Sequence, residues 1–103
     1  MADIQRIRQE SMRWHLLSTL NKTRPYTANE RFLLAVMRRL HADTSEPELR
    51  QALDYLADCQ MAVVSKEVGG VWLANLTRFG VDVVEYAVDS MVGIARPEKY
   101  WDR

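Results

Sequence analysis

Thr44-Ser45-Glu46-Pro47-Glu48-Leu49-Arg50-Gln51-Ala52-Leu53-Asp54-Tyr55-Leu56 leads, through Cys59-Gln60-Met61, into Ala62-Val63-Val64-Ser65-Lys66-Glu67-Val68-Gly69-Gly70-Val71-Trp72-Leu73-Ala74-Asn75-Leu76. Thr44 or Ser45 is placed to cap a helix, and Pro47 suits a first turn, where its missing N–H costs nothing. Glu46 and Glu48 complement the positive end of the helix dipole. Leu49, Ala52, Leu53 and Leu56 then repeat at helical spacing. After Met61 the period changes. Ala62 to Val68 reads as a strand, Gly69-Gly70 as a tight turn, and Val71 to Leu76 as the returning strand. A two-stranded hairpin is marginal alone, so it must pack on helices.

Those helices lie upstream. Residues 3–21 carry Ile4, Ile7, Met12, Leu16, Leu17 and Leu20 without a Gly or Pro. Ile4 and Ile7 fall off the Leu16/Leu20 face, which leaves the first turns for a partner chain or for fraying. Pro25 disfavours helical backbone at Arg24 and ends the segment. Thr27-Ala28-Asn29-Glu30 matches a capping box, with Thr27 as N-cap and Glu30 reaching back. The helix it opens runs to about His41, with Phe32, Leu33, Val36, Met37 and Leu40 as its buried stripe. Arg31, Arg38 and Arg39 are left for its outer side. A short turn to the next capped helix completes a helix-turn-helix pattern.

Downstream, Thr77 caps a last helix expected over 78–92, with Val81, Val84, Val88 and Met91 on one face and Asp82, Glu85 and Asp89 on another. Gly93 suits its C′ position, and Pro97 interrupts the tail. The architecture is therefore α+β, a winged helix: helix-turn-helix, two-stranded β-hairpin wing, C-terminal helix and tail. Residues 1–92 form the domain and 93–103 the tail.

The 103 residues suffice for one core. No apolar run approaches the roughly 18 residues of a membrane span. Asp3, Arg6 and Arg8 come too early for a signal peptide, and the single Cys59 excludes an intrachain disulfide framework. These features favour the cytoplasm. Charge sums to zero but is segregated. Residues 1–41 carry eight Lys/Arg against Asp3, Glu10 and Glu30, whereas residues 42–60 set Arg50 against Asp43, Glu46, Glu48, Asp54 and Asp58.

Three phrases carry a resemblance: Leu56-Ala57-Asp58-Cys59-Gln60-Met61-Ala62-Val63-Val64, then Val71-Trp72-Leu73-Ala74-Asn75-Leu76-Thr77-Arg78-Phe79-Gly80-Val81-Asp82-Val83, then Gly93-Ile94-Ala95-Arg96-Pro97. With the helix-turn-helix of 27–58, the chain resembles a family of small winged-helix proteins encoded in Mu-like phages and prophages. The Trp-x-x-x-Leu-Thr-x-x-Gly run and the Gly-x-x-Arg-Pro tail are its most specific parts. The resemblance implies a winged-helix fold and a phage or prophage origin, and brings no catalytic residues. DNA binding follows by fold-level analogy.

In the DNA-binding reading, the third helix enters the major groove of double-stranded DNA. Arg50, Gln51 and Tyr55 are then its contacts, with Lys66 on the wing and Arg38 and Arg39 in support. The same helix turns Glu46, Glu48, Asp54 and Asp58 outward, and carboxylates oppose phosphate binding. The second reading is a protein-interaction module, working through that acidic helix and through Tyr100 and Trp101 as partner anchors. Its partner is a second copy in a homodimer, or another phage protein. No constellation supports an enzyme, a metal or another cofactor. His15 and His41 show no paired spacing, Cys59 reads as a small packed residue, and the hairpin accounts for Gly69-Gly70.

Overall fold

The computed structural model describes residues 2–99. Tyr100 and Trp101, the expected partner anchors, lie outside the described residues. The elements are α1 (Ala2–Thr23), β1 (Ala28–Asn29), α2 (Glu30–Leu40), α3 (Glu46–Asp58), β2 (Ala62–Lys66), β3 (Trp72–Leu76) and α4 (Arg78–Val84). Among the described residues, four helices thus accompany one antiparallel sheet of order β1-β3-β2. No helix among the described residues is long and apolar enough to cross a membrane.

Met12, Leu16, Leu17 and Leu20 of α1 are buried and form the floor of the core. Leu33 and Met37 of α2, Leu49, Leu53 and Leu56 of α3, and Met61, Ala74 and Val83 close over them. Ile4 and Ile7 are 70% and 61% exposed, off the core face of α1. On α2 the buried stripe is narrower than the residue pattern suggests. Leu33 and Met37, one helical turn apart, reach the interior, while Phe32 and Leu40 stay 48% and 50% exposed. A helix turns by about 100° per residue, so Phe32 points well away from its neighbour Leu33, whereas Leu40 lies on the Leu33 side but is the last residue of the helix.

The expected capping box of α2 is replaced by a strand and a different cap. Ala28 and Asn29 pair with Ala74 and Leu73 of β3. Asn29, not Thr27, is the N-cap, and its side chain accepts from Arg31 N at 2.7 Å. Glu30 turns inward instead of reaching back. The cap of α3 is Ser45, whose hydroxyl accepts from Glu48 N at 3.2 Å, with Pro47 in the first turn.

α3 ends in a Schellman turn, with Gln60 N donating to Ala57 O (3.0 Å) and Met61 N to Leu56 O (2.9 Å). Gln60 holds the left-handed position at φ 63°. The hairpin follows in the register Val64↔Ala74, with Gly70 at φ 88° in its turn.

α4 stops at Val84, not near residue 92. A second Schellman turn ends it: Ala87 N donates to Asp82 O (2.8 Å) and Tyr86, at φ 62°, sits at the left-handed position. The apolar spacing of 88 and 91 continues on paper, but the chain has already reversed. It returns along α1, where Ile94 is buried, Ala95 N donates to Glu10 O and Arg13 Nη1 donates to Gly93 O. Arg96 Nη1 reaches the Val83 and Val88 carbonyls.

Candidate nucleic-acid interface

α3 exposes Glu46, Pro47, Gln51 and Asp58, with Asp54 half-buried beside them. The cationic contacts expected on α3 and the hairpin, Arg50 and Lys66, are both engaged within the domain. Arg50 Nε and Nη2 donate to the two carboxylate oxygens of Glu30 at 2.8 and 2.6 Å, and Nη2 also donates to Gly70 O. Glu30 is 3% exposed and accepts a further bond from Trp72 N at 2.8 Å. Its carboxyl is held below the usual range, first by the Arg50 guanidinium, against burial, which pushes the other way. The guanidinium lies 4.7 Å from the Trp72 ring centre. One side chain therefore ties the start of α2, the middle of α3 and the hairpin together.

Lys66 is engaged more loosely. Its Nζ is 3.3 Å from Asp54 and 4.4 Å from the Trp72 ring centre. Tyr55 faces away from the wing, against α1 and the returning tail. The Arg13 guanidinium stacks 3.6 Å from its ring centre, and a Cβ at Gly93 would overlap the Tyr55 hydroxyl. Gln51 is exposed and free to reach outward. Glu48, another outward acid by spacing, accepts from Arg8 Nε and Nη2 at 2.7 and 3.0 Å, and Arg8 Nη1 also meets Asp43 at 3.0 Å. Both carboxyls are held below their usual range by that guanidinium.

The outer side of α2 is different. Arg31, Arg38 and Arg39 are all exposed, and among the described residues none meets a carboxylate. Arg38 is steadied by donating from Nε to Thr44 O at 2.9 Å, which leaves its two amino groups available. Arg31 and Arg38 lie seven residues apart, two helical turns, on one side of the helix.

Other chemistry is sparse. The His15 and His41 rings lie 5.9 Å apart, and burial, then His41, keeps His15 below the ordinary histidine range. No group of three or more His, Cys, Asp or Glu side chains among the described residues is placed to hold a metal. A hollow of about 40 Å³ lies between α1 and α3, far below the several hundred Å³ of a small-molecule site, and a wider, mostly polar depression of about 400 Å³ lies beside it, lined by Arg8, Asp43, Glu48 and Gln51 among others. The engagement of Arg50 was not readable from its outward position by spacing. Glu30 fits a capping box so well that its inward role is hidden. The Arg8–Glu48 pair joins residues forty apart with no local signal.

Comparison of the chain with protein-family models, with curated proteins and with solved structures finds no match.

Proposed function

We propose that the chain is a winged-helix module of the regulatory type, of phage or prophage origin, which grips duplex nucleic acid by its backbone and catalyses nothing. The element order and the β1-β3-β2 sheet, with the hairpin directly after the second helix of a helix-turn-helix, support the winged-helix reading. One observation carries the binding mode: the cations of α3 and the hairpin are spent on internal partners, whereas Arg31, Arg38 and Arg39 of α2 meet no carboxylate. Phosphate contacts of this kind position a protein on a duplex without reading its sequence. Gln51 is the residue of α3 left to touch a base edge.

The test is binding to a random-sequence duplex across a salt series. Three phosphate contacts give a log–log slope of about −2.7, a loss of about 40-fold between roughly 50 and 200 mM salt. Reversing the three arginines (R31E/R38E/R39E) abolishes binding in this reading. No binding of the wild-type chain at low salt sinks it.

A second reading has its own observation. Glu46 and Asp58 lie exposed on α3 and form no ion pair among the described residues. A protein-docking module without DNA binding uses that face, and it is the reading that a flat salt series would leave standing.

A further inference from the structure

We propose that the acidic outer face of α3 docks on the arginine face of α2 in a second copy of this chain, giving a head-to-tail assembly. The proposal extends the binding mode above, because it gives the α2 arginines a competitor for nucleic-acid phosphates.

Two half-interfaces are present in one molecule. Arg31, Arg38 and Arg39 form one, with half-exposed Phe32 beside them. Glu46, Asp54 and Asp58 form the other, around Pro47 and Gln51. Among the described residues no ion pair joins these two sets within the chain. The cations next to α3 are already committed, Arg50 to Glu30 and Lys66 to Asp54. Apart from Asp54, which meets Lys66, no member of either face has an oppositely charged partner among the described residues, and a second copy supplies one for each.

The spacings match. At about 1.5 Å of rise per residue, Arg31 and Arg38 are separated by about 10.5 Å along α2, and Glu46 and Asp54 by about 12 Å along α3. The formal net charge of the chain is zero, so copies approach without the mutual repulsion that keeps strongly charged proteins apart. Segregated charge on a neutral molecule favours its own kind, because each copy brings both the donor face and the acceptor face.

The two faces belong to different helices, so the contact is heterologous. Such contacts propagate into rings or open chains and do not cap at two. Exposed ion pairs are individually weak and are screened by salt, so the association is a concentrated-solution, low-salt property. Nucleic acid bound on α2 displaces it.

Sedimentation of the whole chain without nucleic acid tests the contact directly. Species beyond monomer are expected to grow with concentration at about 50 mM salt, with a dissociation constant raised more than tenfold by about 500 mM salt. Variant R31E/R38E/R39E and variant E46K/D54K/D58K are each expected to stay monomeric. Their mixture is expected to pair, because each supplies the face the other lacks. A circular-dichroism melt of each variant verifies folding first, and charge-neutral glutamine versions replace either one that fails. A monomeric wild-type chain at low salt, association that survives in both variants, or a mixture that does not pair overturns the proposal. None of these outcomes touches the nucleic-acid reading, which is measured separately on the dilute monomer.

Discussion

Replacing Arg50 by methionine isolates the interaction that joins α2, α3 and the hairpin. Glu30 is then a carboxylate at 3% exposure with one remaining donor, Trp72 N. Removing one partner of a buried ion pair costs about 3–5 kcal/mol. The lower figure, about 3 kcal/mol, applies because the Arg50 side chain is itself 29% exposed and the Trp72 bond survives. For a domain of this size that is a fall in Tm of more than about 10 °C. The pH dependence adds a sign. In the wild-type chain the Glu30 carboxyl is depressed, so its stabilisation is present above the unfolded carboxylate range and fades as pH falls. Without Arg50, burial dominates and raises that carboxyl, so acid relieves the variant by protonating Glu30. The gap between the two proteins should be widest near pH 7 and shrink towards about pH 4. Urea titrations at both pH values measure it. A second variant, R50M/E30L, should recover much of the loss, since an apolar pair leaves no buried charge. A gap below about 0.5 kcal/mol at pH 7, or an equal gap at both pH values, would refute the reasoning.

Gln60→Gly should stabilise the fold. Left-handed backbone costs a non-glycine residue about 1–2 kcal/mol, and the extra freedom of unfolded glycine returns about half of that. The net rise in Tm is about 3–6 °C in a thermal melt. Gly80→Ala should do the reverse by about 1–3 kcal/mol, because the added methyl would overlap Met61 O at the start of α4; an unchanged urea midpoint would mean that the α3–hairpin junction yields freely. Arg8→Ala frees both Glu48 and Asp43, and its cost should be smaller at high salt because Asp43 is exposed. A salt-independent loss would instead assign Arg8 a packing role.

The helices and the hairpin were legible because their signals are local. Ser45 and Pro47 mark the start of α3, its leucines mark the buried face, and Gly69-Gly70 marks the turn. Three features escaped for reasons that are not local. β1 has two residues, too few to show a period, and exists because β3 offers it an edge. The end of α4 is set by a tyrosine in a backbone region that glycine normally fills. That tyrosine is held by Trp14 at 6.2 Å between ring centres and by Arg96 at 4.3 Å from its own ring centre. The α3 arginine looked free because helical spacing gives direction but not distance, and the partner that captures it enters from another helix. Gln51 and the α2 arginines need no such partner, and their outward placement agrees with what spacing alone suggests.

The Glu30–Arg50 tie also limits how this surface can be changed. On most helices an outward arginine can be exchanged while the scaffold stays as it was. Here the same exchange loosens the hairpin, because the Gly70 carbonyl loses its donor and the Glu30 carboxylate that holds the Trp72 amide loses its counter-charge. Change on this surface that leaves the scaffold as it is falls instead to Glu46, Pro47, Gln51 and Asp58, exposed positions whose side chains hold nothing else in place.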